Sequence, residues 1–289
     1  MANTKDLRQK IATTKTTQQT TRAMKMVAAA KLRRAQHAIV NARPYAYKIH
    51  SVISKIAETK TVSHPLFDVK ENPRKILMVV LTSDRGLCGS FNSGVLRAAD
   101  IMYKTEKPKY DKVDVFCVGR RAGDFFRRRG VDAVEVMVNL AKDIRYDLAA
   151  GVADRVIDWY SKGEYDEVRF VFNEFKSAIS QKVVSETLVP IRAMEKVDQR
   201  AFDQDILFEP EPDVILDQLL RKHFAIQVYR VMQESIASEH GARMNAMENA
   251  TKNANEMIKS LTLTLNKIRQ AAITTELIEI TSGAEALKA

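Results

Sequence analysis

Glycine is missing from the first 85 residues of this 289-residue chain, and between Asp213 and Ser282 there is no proline and one glycine, Gly241. Gly and Pro interrupt ordinary globular sequences every few turns. Their absence at both ends, and their return in between, predicts two long terminal helices flanking a compact insert. At ~1.5 Å per residue the C-terminal helix would reach ~105 Å, against ~30 Å for a compact domain of about 120 residues. The expectation is a rod with a domain attached. Cysteine is scarce too. Cys88 and Cys117 stand far apart, with neither CxxC nor Cys/His metal spacing, and are expected as free thiols of a reducing compartment. No apolar run reaches the ~18 residues of a membrane span. A helical pattern begins within a few residues of Met1, with no signal h-region and no room for a transit peptide.

What is present is a core-forming composition, 45% hydrophobic, with a net charge of +10 that is unevenly spread. Residues 1–60 carry thirteen Lys/Arg against Asp6 and Glu58 alone, while residues 61–212 sum to −1 and residues 213–289 to zero. The excess therefore sits on the N-terminal helix. Such a helix suits an acidic protein surface, a nucleic acid or an anionic membrane; a solvated face accounts for the same charge more simply.

Three segments follow: an N-terminal coiled-coil helix over 1–60, an α/β domain over 74–190 and a C-terminal coiled-coil helix over 213–283. The first opens on Asn3-Thr4-Lys5-Asp6, close to a capping box. Its seam reads Leu7, Ile11, Thr14, Gln18, Thr21, Lys25, Ala28, Leu32, Ala35, Ile39, alternating four and three as a coiled coil does. Between Thr14 and Lys25 that seam is polar, which predicts that the stretch needs a partner or is held inside something. Pro44 predicts a kink. In the middle, the run Lys75–Thr82 reads as a strand covered on both faces. Val113–Val118, Val134–Val138, Val168–Phe172 and Val183–Val189 read as further strands. Helices to about Tyr103, over Arg120–Arg129 and over Leu148–Tyr160 alternate with them, giving a Rossmann-like open α/β sheet. The last helix has Asp213 as N-cap, a seam through Met247, Ala250, Ala254, Met257, Leu261, Thr264, Ile268, Ala271, Thr275 and Ile278, and Gly283 as its stop. The two terminal helices are expected to fold back as an antiparallel pair.

Chemistry-bearing motifs are sparse. Asp84-Arg85-Gly86-Leu87-Cys88-Gly89 follows a strand as phosphate loops do. It lacks the Lys-Ser/Thr of a P-loop and the third glycine of a dinucleotide fingerprint, so a tight turn shaping a contact surface is the better reading. Arg120-Arg121 and Arg127-Arg128-Arg129 lie in a near-neutral domain, which favours a solvated or ion-paired face over nucleic-acid binding. The five histidines are scattered, no carboxylate pair suggests acid–base work, and no catalytic, cofactor or metal site is expected. Lys31, Arg33 and Arg34 are the densest charge on the first helix and read equally as plain surface or as an electrostatic contact.

Three stretches carry a resemblance: TRAMKMVAAAKLRRAQ with ARPYA, LTSDRGLCGSFNS, and SEHGARMNAMENATKNANEMI with NKIRQAAITTELIEITSGAEAL. Together they resemble the gamma subunits of F-type ATP synthases, in the right order over nearly the whole chain. The resemblance implies a rotor that does no bond chemistry: an antiparallel coiled coil inside a head of alpha and beta subunits, with the α/β domain meeting epsilon and the membrane ring of c subunits. It implies one copy per complex, no nucleic acid, and membrane association only through the complex. The absence of a transit peptide adds the cytoplasmic face of a bacterial inner membrane.

By motif position, the resemblance puts Met24, Lys31, Arg33, Arg34, Arg243, Gln270, Thr274 and Glu276 at the beta subunits. It puts Leu277, Ile278 and Ile280 at the apolar bearing of the head, and Asp84, Arg85, Gly86, Leu87, Cys88 and Gly89 toward epsilon and the c ring. An acidic loop of the beta subunits would face the +11 charge of residues 1–60. Gly241 stands where relatives carry Ala or Ser, at an expected cost of roughly 1 kcal/mol. The competing readings are a nucleic-acid-binding coiled coil, which predicts salt-sensitive binding, and a nucleotide-dependent α/β enzyme.

Overall fold

The two glycine-poor ends form helices α1 (Thr4–Thr59) and α5 (Pro212–Ala286), and the segment between them supplies every strand. The computed structural model describes residues 4–59, 64–138, 145–191 and 212–286. These make two units. One holds the residues up to Ala28 together with those from Met244 onward; the other runs from Ala29 to Arg243.

In the larger unit, β1 (Lys75–Leu81), β2 (Lys112–Val118), β3 (Glu135–Met137), β4 (Glu167–Phe175) and β5 (Gln181–Val189) form one sheet in the order β3-β2-β1-β4-β5. β1 pairs in parallel with β2 and β4, β2 in parallel with β3, and β5 runs antiparallel to β4. The continuous apolar run of β1 has its reason in two cores. Leu77, Val79 and Leu81 face one that includes Phe116, Phe170, Phe172, helix α4 (Tyr146–Ser161) and the α5 residues Leu220, Phe224, Val228 and Val231. Met78 and Val80 face the other, with Val95 and Ala99 of α2 (Phe91–Glu106) and Ala122 and Phe126 of α3 (Arg120–Arg127). Both faces being covered, no strand needs alternation. Gly119 ends β2 at φ 111°; a Cβ there would lie 2.2 Å from the Thr82 carbonyl oxygen, so only glycine lets the two strand ends close.

Four sequence expectations meet the structure as follows. α1 is one helix across Pro44, and the pattern resumes beyond it as expected. Ile49 and Ile53 just beyond it are buried in the core, and that packing offsets a proline penalty of about 3 kcal/mol. α5 begins at Pro212, so Asp213 lies in its first turn rather than capping it; proline suits that place because its missing N–H would have no helical partner. α5 also runs through Gly283, which has no positive φ and whose absent Cβ would meet nothing. Without the left-handed turn of a C-cap, a glycine weakens a helix but does not end it.

Gly241 is the fourth. Its cost in helix propensity stands against a close approach: a Cβ would meet the Ala178 carbonyl oxygen, in the β4–β5 hairpin, at 3.1 Å, and the Gln181 amide nitrogen at 3.4 Å. Gln181 Nε2 itself donates to Ala178 O, pinning that hairpin. Gly241→Leu is expected to destabilise the chain by about 1–3 kcal/mol through overpacking, and Gly241→Ala to bring none of the ~1 kcal/mol gain usual in helices. Urea unfolding of the full chain measures both.

Candidate functional site

The smaller unit is an antiparallel helix pair with a polar seam. Thr14 Oγ1 donates to Met257 Sδ at 3.9 Å, Gln18 Nε2 donates to Asn255 Oδ1, and the hydroxyls of Thr21 and Thr251 share a 2.8 Å hydrogen bond. Lys25 Nζ reaches Glu248 Oε1 at 2.9 Å and, by that bond and its charge, holds the Glu248 carboxyl below its usual range. The polar stretch of α1 thus pairs with polar side chains on the opposite helix of the same chain. Every seam position expected on α1 within this unit is at least half-buried.

On α5 the seam differs from the expectation. Met247, Ala250, Thr251, Ala254, Ile258, Leu261, Leu265 and Ile268 are shielded; Met257, Thr264, Ala271, Thr275 and Ile278 are exposed. Carrying the cross-helix register onward, Thr4 falls opposite roughly residue 268. Thr4 and Arg8 line a shallow groove with Arg269, Ala272, Ile273 and Glu276, and, among the described residues, 269–284 are all exposed. This overhang carries Gln270, Thr274 and Glu276, with Thr274 Oγ1 donating back to Gln270 O at 2.9 Å. It also carries Ile273, Leu277, Ile278 and Ile280, all exposed. Ile273, Leu277 and Ile280 follow the i, i+4, i+7 spacing of one face, while Ile278 points elsewhere. Met24, on α1, is half-buried.

In the larger unit, Lys31 and Arg34 of α1 border a cavity of about 170 Å³ whose other walls are the ends of β1 and β2 (Leu81, Thr82, Ser83, Asp84, Val118) and the α5 residues from Tyr229 to His240. Arg33 is exposed. The 84–89 turn is rigidly built. Asn92 Oδ1 accepts from Ser83 N at 3.0 Å, and Asn92 Nδ2 donates to Cys88 Sγ at 3.2 Å. Asp84 Oδ1 accepts from the Arg120 backbone N–H at 2.9 Å. Leu87 holds a left-handed φ of 63° and is 65% exposed, so the turn displays a leucine at its tip. Cys88 and Cys117 are both free and buried; burial pushes the Cys117 thiol up to about 12.

Arg243 was assigned to an outside partner by resemblance, yet its guanidinium is engaged within the chain. It reaches Glu239 Oε1 at 2.6 Å, the ring nitrogen Nδ1 of His240 at 3.4 Å and the Gly86 carbonyl oxygen at 3.2 Å, with 12% of the side chain exposed. The structure therefore brings together Arg243 and the 84–89 turn, which the resemblance assigned to different ends. Burial raises the Glu239 carboxyl despite Arg243 beside it. Burial, then the charges of Arg243 and Lys31, lowers His240 to about 4. Sequence reasoning passed over Glu239 and His240; the Glu-to-Arg spacing of four from Glu239 to Arg243 was the available signal.

Among the described residues no cluster suited to a metal occurs, and no helix is long and apolar enough to cross a membrane. The family model for ATP synthase matches residues 3–287. The chain is 57% identical to the ATP synthase gamma chain of Bdellovibrio bacteriovorus and 44% identical to that of Geobacter metallireducens, in both cases over 100% of each chain. It resembles a chain in the central stalk and c-ring structure of Tetrahymena thermophila mitochondrial ATP synthase, with TM-score 0.59, 28% identity, and coverage of 80% of this chain and 98% of that one. A chain of the Euglena gracilis mitochondrial enzyme shares the fold at TM-score 0.69 and 21% identity, covering 98% of this chain and 94% of that one. A long helix pair joined to an open α/β sheet is the architecture of a central-stalk subunit. The chain belongs to the ATP synthase family, among its gamma chains.

Two measurements follow from this geometry. Thr21→Val or Thr251→Val alone should cost about 1 kcal/mol, and the double variant should recover part of the sum, since removing both hydroxyls leaves neither unpaired; a double-mutant cycle by urea unfolding reads the coupling. For His240, a folded pKa of about 4 against a usual ~6.5 means the unfolded chain binds the extra proton. Stability should therefore fall as pH drops from about 6.5 to 4, and His240→Asn should flatten that fall relative to the unaltered chain. Unfolding free energy against pH, compared between the two proteins, measures the difference.

Proposed function

We propose that this chain turns inside a head of alternating alpha and beta subunits and couples proton flow in the membrane sector to ATP synthesis and hydrolysis at the beta subunits. It performs no bond chemistry of its own. Its larger unit meets epsilon and the c ring, one copy serves each complex, and the complex works on the cytoplasmic face of a bacterial inner membrane. The observation that carries this reading is the overhang of α5. A helix that exposes leucine and isoleucine on more than one side fits a sleeve that surrounds it. A partner on one side would leave the Ile278 side or the Ile273–Leu277–Ile280 side wet.

Within this reading Leu277, Ile278 and Ile280 bear on the apolar rim of the sleeve, and Gln270, Thr274 and Glu276 hydrogen-bond to the beta subunits. Lys31, Arg33 and Arg34 face an acidic loop of the beta subunits, with Met24 as a further contact. Turning the shaft then changes the relative free energies of the beta conformations, which is what coupling means.

Reassembly of purified alpha and beta subunits with and without this chain tests the reading. Steady ATPase turnover should appear only with it, and the chain should co-elute with the large complex. Gln270→Ala should lower coupled ATP synthesis several-fold with assembly unchanged. Failure to assemble, together with salt-sensitive binding to DNA or RNA, would replace this reading with the nucleic-acid one.

A further inference from the structure

Each of the three acceptors on Arg243 comes from a different point. Glu239 and His240 lie on its own helix, while the Gly86 carbonyl belongs to a turn 157 residues away in sequence. That turn is otherwise held to the β1 end by Asn92 and to α3 by Asp84. Gly86 also lies close under Arg121, whose Nη2 would be 3.0 Å from a Cβ at that position. A lysine or alanine at 243 could not reproduce this fork, because only guanidinium spreads several donors in one plane. With 12% of its side chain exposed, Arg243 has little surface to offer an outside partner.

We propose that Arg243 is a positioning residue, a latch that fastens the 84–89 turn to α5. It keeps exposed Leu87 and the Lys31–Arg34 edge of the neighbouring cavity in one fixed arrangement. The turn then moves with the helix as a single body. In the rotor, a role that rests on the reading above, this means the surface carried on the turn stays fixed to α5 within the larger unit.

The test uses the free full-length chain, so its outcome is independent of whether the head reading holds. Cys88, 2% exposed and two residues from Gly86, reports on the turn; Cys117, wholly buried in the sheet, reports on the core. Arg243→Lys keeps a cation beside Glu239 but gives up the bond to Gly86. Reaction with a disulfide reagent such as dithionitrobenzoate should then be ten-fold or more faster at Cys88, with Cys117 as slow as before. Arg243→Ala should give a larger rise at Cys88. Should that variant open both thiols, the lysine variant decides. Cys88 as slow in Arg243→Lys as in the unaltered chain would overturn the latch and return Arg243 to a contact made only in the complex.

Discussion

The seating of α5 on the sheet is the constraint on which the larger unit depends. Apolar burial supplies the attraction: Leu220, Phe224, Val228 and Val231 join the core over β1 and β4, each worth about 1.5–3 kcal/mol when fully buried. Such packing is non-directional. A helix held only by it could turn about its axis or slip along it at modest cost. Directional ties remove that freedom. Ser238 Oγ donates to Asn173 O at 3.0 Å, Arg230 Nη2 meets Glu186 Oε1 at 2.6 Å, and Arg243 holds Gly86. Gly241 adds a steric tie, because the hairpin carbonyl at Ala178 sits where a side chain would be. These four points lie along more than three turns of one helix, so they fix both its rotation and its axial position.

The same seating accounts for a doubly wound sheet in an ATP synthase gamma chain. Sheets of this kind offer a ligand crevice outside the carboxyl ends of their strands. Here the ends of β1 and β2 at Leu81–Asp84 and Val118 are roofed by α1 and α5, and the remaining space is about 170 Å³. That falls short of the ~300–1,000 Å³ typical of small-molecule sites. Residues of the 83–92 segment that might have cradled a phosphate instead bond to one another and to α3. The sheet has become a seat for the helices.

How much of this was legible depended on how strongly each residue's local chemistry constrained it. The apolar run of β1 and the Gly/Pro punctuation made the α/β insert readable, and the alternating spacing of α1 located its buried stripe. The seam of α5 was harder because Met257 and Ile258 are adjacent and both apolar, and in an Ala- and Thr-rich helix periodicity alone does not choose between them. The structure chooses Ile258 and Leu265 because α1 faces them. Gly283 misled because a glycine weakens a helix locally without overriding what the rest of that helix does. Gly241 and Arg243 were unreadable in their true surroundings because their partners, Ala178 and Gly86, are distant in sequence. The resemblance named the family and the surfaces, but it could not say which of the named cations its own chain already holds.

The exposed end of α5 shows how such a helix can exist before anything surrounds it. An isolated segment of sixteen residues would be marginal in water, since nucleating a helix costs more than its few hydrogen bonds return. Residues 269–284 escape that cost because they extend a helix already nucleated, and their helical bonds continue a run that starts at Pro212. Side-chain hydroxyls add bonds along the way, with Thr274, Thr275 and Thr281 each donating to a carbonyl one turn back. The polar seam below serves the same end by a different route. Paired threonines, amides and one ion pair join two helices of the same chain. The helix pair is thus cohesive internally, while the overhang keeps its apolar side chains free for a surface that encloses it.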